Sequence, residues 1–205
     1  MSVRRLLATV IAVAFIVAPA ARADGDPASD YLLSQKTFVP FDAKVPQDKA
    51  EQLNAIVDDA KQKGFTIRVA LIATRFDLGA VPSLWRKPET YAHFLGQELF
   101  FVYKGRLLVA MPNGYGASRG GKPLPSAQTV VDKLPKPGDG GAALATAATR
   151  AVQRLAAQSG VRLEIPVAST GGSSNSDRLV IAAIAGGLAL LFLVGLAARR
   201  LLARR

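Results

Sequence analysis

Three aspartates are placed where the chain could assemble acid chemistry. Asp30, Asp42 and Asp77 each fall in a loop or beside a predicted strand end. Several carboxylates converging on one pocket would hold a divalent metal and activate water against a phosphate ester. Calcium or another divalent metal would be the cofactor of that reading, and no other residue pattern calls for a cofactor. Asp24, Asp26 and Asp30 are close in sequence but lack the glycine and closing glutamate of an EF-hand loop. Residues 24–29 therefore read as a polar lead-in. His93, the single histidine, falls on the polar side of a predicted helix and reads as a surface residue. The chain has no cysteine, which removes disulfides, thiolate metal sites and a cysteine nucleophile.

A second constellation runs from Asn113 to Lys122. Asn113, Gly114, Tyr115 and Gly116 lead into Arg119, Gly120, Gly121 and Lys122. Glycine lets a backbone approach a ligand closely, and two cations beside glycine amides would meet an anion. Gly116–Lys122 also has the spacing of the first seven positions of a phosphate-binding P-loop. Pro123 stands where Ser or Thr would hold Mg²⁺, however, and no helix opens behind the lysine. Nucleotide chemistry is excluded there. Two readings remain: a plain mobile surface loop, or a basic, glycine-rich binding loop comprising Asn113, Gly114, Tyr115, Gly116, Arg119 and Lys122.

The elements that must position these residues follow from periodicity. Asp48–Lys63 has Ala50, Leu53, Val57 and Ala60 on one side, Asp48 and Glu51 at capping-box spacing, and Gly64 as its stop. Thr66–Thr74 is a near-continuous β-branched and aliphatic run that suits a strand covered on both faces of a parallel or mixed sheet. Pro88–Leu95 reads as a short helix stopped by Gly96. Trp85, in the loop before it, reads as a core-packing residue. Glu98–Tyr103 and Arg106–Met111 flank Lys104-Gly105, which predicts a tight hairpin. Ala127–Leu134 is a short helix. Ala142–Gln158 is a longer one with Leu144, Ala148, Ala151 and Leu155 on one face, and Val161–Pro166 alternates like an edge strand. Together these predict an α/β domain with a mixed sheet.

The two ends explain a mean hydropathy of +0.22. Arg4 and Arg5 precede the apolar run Leu6–Ala18, and Ala21-Arg22-Ala23 fits a small-residue cleavage pattern, so residues 1–23 read as a signal peptide. Leu179–Ala198 is uncharged and long enough to cross a bilayer as a helix. Arg199, Arg200, Arg204 and Arg205 follow it and orient the tail, residues 199–205, to the cytoplasm. Ala182 with Gly186, and Ala183 with Gly187, form small-xxx-small pairs that would pack a partner helix. Residues 167–178 read as a flexible linker, and 24–166 as an extracytoplasmic domain. The formal charge of +11 falls to +4 once the arginines of the signal (Arg4, Arg5, Arg22) and of the tail are set aside. That balance argues against nucleic acid and for anionic headgroups or wall polymers. An exported domain without cysteine points to a bacterial envelope protein.

The order of elements resembles the TPM domain family. The stretches that carry the resemblance are DYLLS (30–34), FTIRVALIAT (65–74), YAHFLG (91–96), FFVYKGRLLVAM (100–111) and NGYG (113–116). It covers roughly residues 27–166 and extends to export and a C-terminal membrane helix. It implies an α/β/α sandwich around a mixed sheet. Family members include a plant thylakoid protein linked to phosphatase activity and photosystem repair, calcium binders, and a receptor accessory protein. This chain departs from the pattern after the GYG. Gly-Leu-Glu is replaced by Gly116-Ala117-Ser118, and the following acid by Arg119-Gly-Gly-Lys122. Two functions are therefore expected of the chain. One is a membrane-tethered accessory, scaffold or binding module that meets an envelope protein or anionic polymer. The other is a metal-assisted phosphatase using Asp30, Asp42 and Asp77.

Overall fold

The computed structural model describes residues 25–165. The predicted signal peptide (1–23), linker (167–178), membrane helix (179–198) with its Ala182/Gly186 and Ala183/Gly187 pairs, and tail (199–205) lie outside the described residues. No helix among the described residues is long and apolar enough to cross a membrane.

Among the described residues, ten α-helices and strands follow in order, with short 3-10 turns at Phe41–Ala43, Arg75–Leu78 and Pro82–Leu84 between them. They are α1 (Pro27–Leu32), β1 (Thr37–Phe38), α2 (Gln47–Gln62), β2 (Ile67–Leu71), α3 (Pro88–Glu98), β3 (Arg106–Met111), β4 (Gly114–Arg119), β5 (Lys122–Pro123), α4 (Pro125–Val131) and α5 (Gly141–Gln158). The strands form one mixed sheet in sequence order. β1, β2 and β3 are parallel, and β3, β4 and β5 form an antiparallel meander. The chain is thus an α/β protein.

β2 is apolar along its whole length because both of its faces are covered. Ile67, Val69 and Leu71 enter one cluster with Leu53, Ile56, Val57 and Ala60 of α2 and with the apolar face of α5. Ala70 and the following Ile72 enter another with Tyr91, Ala92 and Leu95 of α3. The crossovers β1–α2–β2 and β2–α3–β3 advance across the sheet in the same direction, yet their helices lie on opposite faces. Their hands are therefore opposite, and one runs against the strong right-handed preference. Trp85 packs, half-buried, against the α3 cluster.

The structure corrects several local expectations. The predicted hairpin about Lys104-Gly105 is absent, because helix α3 runs through Gly96 to Glu98 and the chain then turns tightly through Leu99–Tyr103. The hairpin lies one strand later, β3 with β4, around Pro112-Asn113. What read as a glycine loop at 114–119 is strand β4. Gly96 is not a stop: its bare Cα lets α3 approach Ser118 and Gly121, where a Cβ would sit 2.9 Å from Ser118 Oγ. The capping box at Asp48 and Glu51 is not formed. The N-cap of α2 is Pro46, without a side-chain cap, and Gln47 Nε2 donates to Glu51 Oε1 at 2.8 Å instead. Residues 161–165 form no strand. The lead-in 24–29 is replaced from Pro27 by helix α1, N-capped by Asp26.

Candidate functional site

β4 alternates by size. Gly114, Gly116 and Ser118 face α3, whereas Tyr115, Ala117 and Arg119 face the α2/α5 side. Helix α3 lies along the small-residue face. Pro88 rests over Gly116, the Ala92 carbonyl accepts from Ser118 Oγ at 2.6 Å, and Gly96 meets the β4–β5 turn. Most of the predicted binding loop is therefore architectural. Asn113 Nδ2 donates to the Arg86 carbonyl at 2.8 Å, and Tyr115, buried, donates its hydroxyl to the Pro135 carbonyl at 3.0 Å. Burial pushes the Tyr115 phenol up, against the opposing pull of Arg150.

Arg119 and Lys122 remain on the surface, and the fold supplies them with a third cation. Gly120 and Gly121 both have positive φ, +54° and +70°, which a two-residue type I′ turn requires and which sets Arg119 opposite Lys122. On its other side Arg119 stands opposite Arg106 of β3. The Gly120 amide bonds the Gly105 carbonyl at 3.3 Å, which makes 106/119 the non-hydrogen-bonded kind of pair, whose side chains approach most closely. Register pairs share a face, so Arg106, Arg119 and Lys122 form one row across three strands. Arg106 and Arg119 open into a hollow of about 290 Å³ also lined by Phe65, Ser126, Gln158 and Ser159. The Arg106 guanidinium stacks 4.4 Å from the Phe65 ring centroid. Burial and then Arg119 lower its pKa.

Like charges directly opposite on neighbouring strands destabilise a sheet. No carboxylate forms an ion pair with this row among the described residues. The last turn of α5, which has no basic residue of its own, faces the same hollow and offsets part of the charge. Arg119→Gln should therefore stabilise the ligand-free protein by about 0.2–1 kcal/mol, with a gain that shrinks as salt screens the pair. Urea unfolding at low and high ionic strength measures it.

The three candidate acids are not brought together. Asp30 is exposed on α1, and Asp42 is exposed in a single helical turn, Phe41–Ala43. Asp77 closes a capping box after β2, its Oδ2 accepting from the Ala73 and Thr74 amides at 2.8 and 2.7 Å. No three His, Cys, Asp or Glu side chains among the described residues group as a metal site. His93 is half-buried, not on the open surface. It lines a concavity of about 470 Å³ with Glu89, Thr90, Gln128, Thr129 and Asp132, and its Nδ1 is buried without a hydrogen-bond partner.

Sequence reasoning missed two groups. Arg106 looked like an ordinary strand start, and only register places it against Arg119. Asp26 is buried, accepts from Ala28 N at 3.2 Å, and takes the Tyr91 hydroxyl at 2.7 and 2.8 Å on its two oxygens. Burial raises its pKa to about 6, although the Tyr91 and Ala28 bonds pull it down. No protein-family model, curated protein or solved structure matches the chain.

Proposed function

We propose that this chain is an exported, single-pass membrane protein whose extracytoplasmic domain is an accessory or binding module of the cell envelope. Its anionic partner, an envelope protein or polymer, is held at Arg106, Arg119 and Lys122. The observation that carries the reading is that row: three cations on adjacent strands, without an acidic partner among the described residues, beside an open hollow. Membrane attachment rests on the leader pattern of residues 1–23 and the uncharged run 179–198 with its arginine-rich flank. The mixed α/β domain is in keeping with the sandwich that the TPM resemblance implies.

Inorganic tripolyphosphate serves as the probe. Added to the full chain in detergent micelles, it should raise the unfolding midpoint. A concentration of a hundred times Kd corresponds to about 2.7 kcal/mol of stabilisation. Arg119→Gln should lose most of that shift while being no less stable without the probe. A shift of equal size in the Arg106→Gln/Arg119→Gln double variant would remove the reading.

A further inference from the structure

The segment that joins α3 to β3 leaves apolar side chains in water. Phe101 is 94% exposed and Val102 60%, and Phe100 is also open to solvent. These side chains are held in place. The Val102 and Tyr103 amides both return to the Leu99 carbonyl, at 2.9 and 2.7 Å, which closes the chain into a tight turn. The Phe100 and Phe101 rings meet edge to face at 5.9 Å. Tyr103 roots the turn: its hydroxyl donates to the Arg106 carbonyl at 2.8 Å, and the Arg68 guanidinium lies 4.2 Å from its ring centroid.

Cations lie at the same end of the sheet as this tip. Lys104 Nζ sits 4.6 Å from the Phe100 ring centroid. Arg68 is the second residue of β2 and Arg106 the first of β3, and Arg119 and Lys122 flank the β4–β5 turn. Gly120 of that turn lies against the Lys104 backbone, so all five gather at one end of the sheet. None of the five is ion-paired with an acid among the described residues. Glu98, at the end of α3, is exposed just before the tip. The opposite end of the parallel strands also shows aromatic rings, Phe41 and Phe76; there Arg75 lies 5.4 Å from the Phe76 ring centroid and Asp42 and Asp77 are the sequence neighbours of the two rings.

An apolar aromatic tip at the same end of the sheet as a group of lysines and arginines matches the chemistry of a membrane–water interface. Rings settle at headgroup depth and the cations meet anionic lipid. Moving one phenylalanine from water to an apolar phase is worth on the order of tenfold to a hundredfold in partition. The chain itself brings such a surface within reach. Thirteen residues, 166–178, separate the last described residue from the uncharged run at 179. Read as the flexible linker that the sequence implies, thirteen residues would span about 20 Å r.m.s..

We propose that the Phe100–Val102 tip, with Lys104, Arg106, Arg119 and Lys122, docks on the anionic phospholipid surface of the membrane that anchors the chain. The rings enter the headgroup layer and the row of cations meets lipid phosphates. The proposal rests on the anchored reading given under Proposed function and takes anionic lipid, in place of an envelope protein or polymer, as what that same basic row meets.

The absence of native cysteine allows a clean test on the full chain. Val102→Cys carrying an environment-sensitive dye leaves both phenylalanines intact, and Phe41→Cys carries the same dye at the opposite end. Both chains are reconstituted into discs of phosphatidylcholine with phosphatidylglycerol, or of phosphatidylcholine alone. In the anionic discs the dye at 102 should shift to the blue, resist aqueous iodide and be quenched by lipid-borne nitroxide. The dye at 41 should remain in water. Arg119→Gln and Lys122→Gln should each weaken the docked state about five-fold, the equivalent of about 1 kcal/mol per cation near an anionic surface. A dye at 102 as open to iodide as the dye at 41, in chains that co-purify with the anionic discs, would overturn the docking alone. Equal shielding in neutral discs would overturn the anionic partner. Chains that fail to co-purify with any disc would remove the anchored reading and the proposal with it.

Discussion

Gly116→Ala is expected to be among the most damaging single-methyl additions in the domain. A Cβ there would collide with the carbonyl group of Pro88 and lie 2.7 Å from the Glu89 amide nitrogen. Both are backbone atoms at the start of α3, so no side chain can rotate out of the way. Overpacking of a fitted interior commonly costs about 1–3 kcal/mol, and a clash with a peptide group that cannot rotate away places this site at about 3 kcal/mol or above. The same substitution at Gly25 is the control. A Cβ there meets only the Asp30 carboxylate, at 3.4 Å, and the change should stay within about 0.5 kcal/mol. Urea unfolding followed by Trp85, which packs on the α3 side of the sheet, reads both variants. A Gly116→Ala protein as stable as Gly25→Ala would mean that α3 does not rest on β4 as described.

That contact also explains how much of the fold was legible in the sequence. Helices α2 and α5 announced themselves because each buries a face whose period matches a helix, and strand β2 because both of its faces are covered and its run is nearly continuously apolar. The region 98–122 misled for two physical reasons. Phe100, Phe101 and Val102 have the composition of a strand but sit exposed on the outside of a turn, so apolar character there does not report burial. In β4 the signal was the alternation Gly114, Gly116, Ser118, which reads as loop by composition and as a helix-packing face by period two. Arg119 and Lys122 were visible as cations. Their relation to Arg106 depends on strand register, which single-sequence patterns do not encode. Asp26 was hidden for the same kind of reason, since its partner Tyr91 is 65 residues away in the chain.

The Asp26–Tyr91 pair gives the protein a signed dependence on pH. The Asp26 carboxyl lies at about 6 in the folded chain against an ordinary value of 3.8, so the fold binds this proton more tightly than the unfolded chain does. Its contribution to stability is therefore greatest below pH 4 and is lost as pH rises through about 6, a swing of up to about 3 kcal/mol. Asp26→Asn keeps an acceptor for the Ala28 amide and the Tyr91 hydroxyl but cannot ionise. Its stability relative to the native chain should rise between pH 4 and pH 7 and then level off. Tyr91→Phe works in the other direction. The Tyr91 hydroxyl favours the charged carboxylate, and burial followed by Asp26 itself keeps that phenol protonated far above its ordinary range. Removing it should raise the Asp26 pKa further. The loss should be about 1.5–3 kcal/mol above pH 7, where a hydrogen bond to a charge is broken, and smaller below pH 4, where the carboxyl is neutral. Urea midpoints of the three chains across pH 4–8 test the scheme. Parallel profiles for native and Asp26→Asn chains would show that Asp26 does not titrate in this window. A Tyr91→Phe deficit that grows towards acid would reverse the role assigned to the hydroxyl. The pair also ties the first described residues to α3, the helix whose C-terminal end leads into the Phe100–Val102 tip. Its protonation therefore bears on how firmly that helix, and the surface it presents, is held.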